Sequence, residues 1–286
     1  MGARVDGWEI GMVRSMPGAD TFVKRGQAGA TSLPGEAASL RWLGEATRGV
    51  PVARVLTVSE TELVEERVRV GSASRAAAER VGVALAHTHA AGAPWWGCPP
   101  TGWEGDQLIE GTRTPTIDKA SAPDSWGYFF ADVRIAAYVR QARDRHVLSS
   151  DECALVERVC DRLRAGAYDA EQPGLVSREG HQVARIHGDL WAGNLLWDAD
   201  PTNPVGAVLI DPMAHGGHAE TDLAMLALFG CSHLDRIVAA YHEASPLADG
   251  WRERVGLHQL APLLHHCVLF GRSYVAETMA VARRYA

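Results

Sequence analysis

The chain has few cysteines, five in 286 residues, and none of them forms a C-x-x-C pair. Cys98, Cys153, Cys160, Cys231 and Cys267 are scattered and odd in number, which points to reduced thiols in a cytosol rather than a disulfide framework. No run of 18 apolar residues occurs, so no membrane-spanning helix is expected. The N-terminus has no charged-then-apolar leader, and Asp6 stands where a myristoylation signal needs Ser or Thr. A cytoplasmic protein is the expectation. There is no long run of one charge, and the net charge is −7, which disfavours nucleic acid and anionic membranes as partners. Internal repeats and long low-complexity stretches are also missing. What remains is a chain that is 47% apolar and able to bury a sizeable core, as one large domain or two lobes.

The first 70 residues read as strands with one helix. Trp8 to Val13 and Thr21 to Lys24 pattern as short strands around the turn Met16-Pro17-Gly18-Ala19-Asp20. Gly35-Glu36 opens a helix with Ala37, Leu40 and Leu43 on one face. Residues 51–58 and 62–70 read as a hairpin around Ser59-Glu60-Thr61. After Gly71 the pattern turns helical, with Ser72 or Ser74 as the cap of a helix running to about His89. Residues 92–126 are rich in Gly, Pro, Trp and Thr and read as mostly loop. Helices are predicted at roughly 127–145 and 150–165 and again over the last sixty residues. The expected fold class is α+β, in two lobes: a β-rich N-lobe over 1–68 and a larger helical C-lobe over 69–286.

The chemistry concentrates in Ile186-His187-Gly188-Asp189-Leu190-Trp191-Ala192-Gly193-Asn194 and in Leu209-Ile210-Asp211-Pro212. The D-x-x-x-x-N spacing, with a second Asp ending an apolar strand, is what phosphoryl transfer from ATP needs. Asp189 would align the attacking hydroxyl and accept its proton. Asn194 and Asp211 offer oxygen ligands to Mg²⁺. An ordinary Asp pKa near ~4 makes Asp189 mainly a positioning base. Lys24, ending the strand Thr21-Phe22-Val23-Lys24, and Glu36, at the next helix start, have the order of the lysine–glutamate pair that holds nucleotide phosphates. Glu66-Arg67-Val68 would be the hinge whose backbone meets adenine. ATP and Mg²⁺ are therefore the expected cofactors.

Other features carry less. His215-Gly216-Gly217-His218 with Glu220 and Asp222 resembles a ligand set but lacks zinc-motif spacing. Asp222 reads instead as a helix cap or a brace of the catalytic loop. His87, His89, His265 and His266 read as core or surface histidines. Of nine tryptophans, Trp103, Trp126 and Trp191 are expected on loops near the cleft, where an aromatic face can stack on a sugar.

His187-Gly188-Asp189-Leu190-Trp191-Ala192-Gly193-Asn194 resembles the signature of the fructosamine (ketosamine) kinases, relatives of the aminoglycoside and choline kinases. Further blocks resemble the family in order, from Phe22-Val23-Lys24 through Gly102-Trp103-Glu104-Gly105-Asp106 and the Gly217 to Met225 stretch to Leu269-Phe270-Gly271-Arg272-Ser273-Tyr274. The resemblance implies a protein-kinase-like fold and ATP-dependent phosphorylation of a sugar hydroxyl on a ketose joined to an amine. Elimination of that phosphate frees the amine, which links the family to deglycation. Carried over, Asp189 is the proton acceptor, Asn194 and Asp211 bind magnesium, Lys24 and Glu36 form the phosphate-side pair, and Glu66 to Val68 meet adenine. Asp106, Trp191, His218 and Glu220 become substrate-side candidates. The implied partners are a small sugar-amine and glycated protein lysines, acting on a monomer or weak dimer.

The chain departs from the family in two places. Ser15-Met16-Pro17-Gly18-Ala19-Asp20 has one glycine where a Gly-Gly phosphate loop is usual, and no redox cysteine. Gly111-Thr112-Arg113-Thr114-Pro115-Thr116 replaces a loop that often carries Gln and Asn. Two other readings stay open: a kinase of aminoglycosides or other amino sugars, and a non-catalytic nucleotide-binding protein of the same fold.

Overall fold

A computed structural model describes residues 20–27, 32–109 and 111–286. The strand expected over Trp8 to Val13 and the single-glycine loop up to Ala19 lie outside them.

Three antiparallel strands form the first sheet, in the order β1 (Thr21–Arg25), β3 (Glu62–Glu66), β2 (Val55–Val58). Lys24 pairs with Leu63, and Phe22 with Glu65. The two-residue period of a strand therefore puts Lys24, Leu63 and Glu65 on one face. The β2–β3 hairpin turns at Ser59, whose Oγ accepts the Glu62 N–H at 3.0 Å. Helix α1 (Leu33–Gly44) begins two residues before Gly35, because Pro34 suits the first helical turn. It covers the sheet with Leu33 and Ala37, which pack on Leu63.

The helical remainder starts at α2 (Arg75–Ala90), capped by Ser74, whose side chain accepts the Ala77 N–H. This helix lies against α8 (Leu234–Ala244), and Gly82 lets them approach: a Cβ there would stand 2.2 Å from the Ile237 carbonyl. Residues 92–126 are not all loop. They include a short hairpin, β4 (Gln107–Ile109) with β5 (Thr112–Thr114), whose three-residue strands are too brief to show a period. Gln107 ties it to α1 and to the catalytic segment, donating to Ser39 Oγ and the Ala214 carbonyl at 3.2 Å each.

The helix expected at 127–145 is interrupted. A short α3 (Trp126–Tyr128) leads into a π-helical stretch over Phe129–Ile135 and then α4 (Ala136–Asp144). Trp126 is a correction to expectation: it is helical, 4% exposed, and stacks on Phe130 at 4.9 Å in the core. Trp103 is on a loop, packed against Gly35 of α1. Helix α5 (Ser150–Arg164) begins with a Ser149–Glu152 capping box. Then come α6 (Gly174–Arg178), β6 (Ala184–Ile186), β7 (Leu195–Trp197), β8 (Ala207–Leu209), β9 (His215–Gly217), α7 (Glu220–Leu228), α8, α9 (Trp251–Phe270) and α10 (Val275–Tyr285). The main core gathers Phe129, Ile135, Tyr138, Leu260, Leu264 and Met279 around α9. No helix among the described residues is long and apolar enough to cross a membrane.

Candidate active site

Two small ladders present the candidate catalytic segment. β6 pairs with β9, and β7 pairs with β8. The loop between β6 and β7 carries His187 to Asn194, and Asp211 follows β8. Ile186, Leu190, Leu195 and Leu209 are buried and anchor both segments from beneath. Ala53 and Leu209 exchange backbone contacts with the first sheet's lead-in: Ala53 N–H to Leu209 O at 3.0 Å, and Leu209 N–H to Pro51 O at 2.8 Å.

Asp222 holds the loop in place. Its carboxylate accepts the N–H of His187 at 2.7 Å and of Gly188 at 3.0 Å, and contacts His89 Nε2 at 3.1 Å. His89 Nδ1 in turn meets Tyr241 OH at 2.8 Å. Burial works to raise the pKa of Asp222, but the hydrogen bond and charge of His89, with His187, hold it below its ordinary value. His187 clamps the two halves. Its Nε2 lies 2.9 Å from the Ile210 carbonyl and its Nδ1 takes the Asp189 N–H at 3.2 Å, which sets Nε2 as the donor. Gly188 has φ +82°, and a Cβ there would stand 2.2 Å from the Met213 carbonyl, so only glycine fits.

Asp189 is half-buried. Asn194 Nδ2 donates to its carboxylate at 3.1 Å and to its carbonyl at 2.8 Å. Burial, joined by the charge of Asp211, pushes the Asp189 pKa up to about 7 despite the Asn194 bond. This differs from the ordinary value assumed from sequence, because a loop aspartate in a sequence gives no measure of its desolvation. Spending Nδ2 on Asp189 leaves the Asn194 oxygen as the atom that can face a cation. Asp211 has φ +55°, an uncommon conformation for a non-glycine residue.

Lys24 links this segment to the sheet. Its ammonium bonds the carboxylates of Glu36 and Asp211 and lies 3.7 Å from Glu65. Burial opposes its charge, but the attraction of Glu36, Asp211 and Glu65 keeps its pKa above the usual lysine range. Burial lifts Glu36 to about 7, against the pull of Lys24. Glu65 is a participant that sequence reasoning missed; its alternation with Leu63 on β3 was the available signal. Three carboxylates around one ammonium leave surplus negative charge, and one of them, Asp211, makes an all-oxygen donor set with Asn194. That chemistry fits Mg²⁺.

The remaining candidates fall in different places. Glu66 turns outward to Arg54 at 2.7 Å, and its N–H donates to the Arg54 carbonyl at 2.9 Å. The Arg67 N–H goes to the Asp20 carbonyl at 2.9 Å, so two of the three hinge N–H groups are already engaged. Val68 packs beside Leu40, Ala53 and Val208. Asp106 is paired with Arg113 at 2.6 Å. Trp191 is 40% exposed and meets Phe229 edge-on at 6.4 Å. His218 and Glu220, expected on the substrate side, are buried instead. Glu220 is gripped by Arg254 through two bonds at 2.9 and 2.6 Å, and His218 packs on Trp126 and His258. Ligand atoms of His218, Glu220 and His258 lie within 4.8 Å of one another, but both Glu220 oxygens are held by Arg254. A cavity of about 40 Å³ opens beside Asp189, lined by Gly217 and Thr221 rather than by His218 or Glu220.

A strand lysine paired to a helix glutamate, a D-x-x-x-x-N loop and a strand-ending aspartate, joined across a small sheet and a helical body, define a protein-kinase-like fold of the small-molecule kinase type. An ADP-bound aminoglycoside phosphotransferase, APH(2'')-Ib, shares this fold at a TM-score of 0.55 and 13% identity, over 97% of this chain and 95% of that one. The chain belongs to the fructosamine kinase family, whose sequence profile matches residues 6–285. It is 42% identical to a Thermobifida fusca protein provisionally named fructosamine-3-kinase, with a TM-score of 0.78 over 93% of this chain and 85% of that one. It is 30% identical to a protein of Synechocystis provisionally named ketoamine kinase, covering 82% of this chain and 70% of that one.

Proposed function

We propose that the protein transfers the γ-phosphoryl group of ATP to a sugar hydroxyl of a ketosamine, of fructosamine or ribulosamine type, as a step in deglycation. The observation that carries this reading is the convergence of Lys24, Asp189, Asn194 and Asp211 from three separate segments: β1, the β6–β7 loop and the end of β8. A protein that only binds nucleotide has no use for Asp189. The ADP in the APH(2'')-Ib neighbour supports ATP as donor.

In this reading the sheet with α1 is the N-lobe, ending near residue 68, and the rest is the C-lobe. Lys24, steadied by Glu36, binds the α- and β-phosphates. The Glu66 to Val68 backbone flanks adenine. Asn194 and Asp211 would hold the metal, and Mg²⁺ bound there would neutralise charge on the phosphate oxygens. Asp189 orients the acceptor hydroxyl in line with the γ-phosphate and takes its proton. A pKa near 7 suits that task better than an ordinary carboxylate value, since the proton transfer is then closer to balanced. Trp191 offers an exposed aromatic face to the sugar.

Purified protein with Mg²⁺-ATP and a panel of ribulosamines, fructosamines and aminoglycosides tests the reading. Phosphate gain on ketosamines is the expected result. Gain on aminoglycosides alone would replace the substrate class, and ATP binding without turnover on any hydroxyl would point to the non-catalytic alternative.

A further inference from the structure

The cavity beside Asp189 contains a cation for which the phosphotransfer chemistry has no use. Arg134 lines it, 4% exposed. Its Nη1 donates to the Pro115 carbonyl and its guanidinium sits 4.9 Å from the centre of the Phe129 ring. Its Nε and Nη2 are buried with no hydrogen-bond partner. Asp106, whose charge reaches it, is itself paired with Arg113. Burial lowers the Arg134 pKa to about 10, which leaves it charged at neutral pH.

A buried guanidinium without an acid is costly, and half-satisfied it is worse than an apolar residue of similar size. The two orphan nitrogens are the side-on pair that meets both oxygens of a carboxylate. Elsewhere in this chain Arg254 uses the same pair, Nε at 2.9 Å and Nη2 at 2.6 Å, on Glu220. Arg134 also stands in the π-helical stretch Phe129–Ile135, a form of turn that recurs at functional sites. The space suits a small group: one water needs roughly 10–15 Å³, against about 40 Å³ here. Phe130, Ile186 and Met213 line it with apolar surface.

We propose that Arg134 is a specificity residue that receives a carboxylate of the acceptor, and that the preferred acceptor is a ketosamine formed on the α-amine of an amino acid. In such an adduct the carboxyl carbon is two bonds from the amine nitrogen, close enough to the sugar for the carboxylate to enter this cavity while the sugar stays outside it, beside Asp189. A ketosamine on a protein lysine has no carboxylate there. The substrate part of this inference rests on the ketosamine reading above; the anion pocket does not.

Two experiments on the full chain test it. In the first, kcat/KM is measured for the fructose–glycine adduct and for its neutral twin, the fructose–glycinamide adduct. Wild type should favour the carboxylate by tenfold or more, and Arg134→Gln should bring the ratio down to about 1. A wild type that treats the two alike, or a preference that survives in Arg134→Gln, overturns the assignment. In the second, thermal melting is followed with sodium formate against sodium chloride at equal ionic strength. Formate should raise the wild-type Tm above the chloride control and leave Arg134→Gln unmoved; indifference of the wild type overturns the pocket even if Arg134→Gln fails to fold. If neither adduct is phosphorylated, the ketosamine reading falls and takes the substrate class with it, while the formate arm still decides the pocket.

Discussion

Asn194 donates its side-chain N–H to the Asp189 carboxylate at 3.1 Å, so the residue proposed to offer an oxygen to the metal also orients the proposed base. The two functions are coupled. Replacing Asn194 by Asp removes the donor and adds a like charge, which raises the Asp189 pKa further. The ascending limb of kcat/KM against pH should then move to higher pH than in wild type. An unmoved limb would separate the two residues.

As the proposed base, Asp189 sets that limb. Its pKa is about 7 and the base works ionised, so kcat/KM should rise with pH through about 7 and level above it. Asp189→Ala should keep its fold and lose roughly 10²–10⁴-fold in turnover. The stability effect has the opposite sense. A carboxylate whose folded pKa is raised above its unfolded value costs stability increasingly as pH rises between the two. Asp189→Asn should therefore melt above wild type at pH 8, with the gap closing toward pH 4.

Asp222 should behave as a structural acid. Its removal strands the N–H groups of His187 and Gly188 and one nitrogen of His89 in the interior. Asp222→Ala should cost about 3 kcal/mol or more, and turnover with it. Its lowered folded pKa contributes stability above the unfolded value, lost as pH falls through the folded one. The difference in Tm between wild type and Asp222→Asn should hold at neutral pH and shrink on acidification below about 4.

Lys24→Met leaves Glu36, Glu65 and Asp211 without their cation. With Asp211 partly open to water, the cost should be of order 1–3 kcal/mol. The raised pKa of Lys24 makes its contribution complete at neutral pH and lost only as pH rises through the folded value. Mg²⁺ should raise the Tm of Lys24→Met more than that of wild type, because the metal then meets an uncompensated carboxylate cluster. Equal shifts would argue that Asp211 is not the ligand.

Gly188→Ala should be among the most damaging single changes. It forces a side chain into φ +82° and against the Met213 carbonyl, and the His187–Asp222 contacts must give way. Loss of soluble protein, or a Tm lowered by many degrees, is the expected outcome.

Much of the molecule was legible along the chain, because its signals are local. Ser74 ahead of a helical period marked the start of α2, and Ser59 in a polar turn marked the β2–β3 hairpin. The grouping of Asp189, Asn194 and Asp211 was legible because they lie close in sequence, and Asn194 contacts both aspartates in the fold. His218 and Glu220 were misplaced for the converse reason. Their neighbours in sequence face the cavity, but the partners that turn them inward, Arg254 and His258, come more than thirty residues later.

The sequence by itself determined the family and the order of the elements, and it singled out the residues of the proposed reaction centre, since these depend on residue identity and short spacing. Tertiary structure alone decided the electrostatics. Desolvation depends on everything packed around a group, and so do the raised pKa of Asp189, the surplus of acid around Lys24 and the partnerless face of Arg134. Asp189 and Arg134 are 55 positions apart in the chain, and only the fold brings them to one cavity.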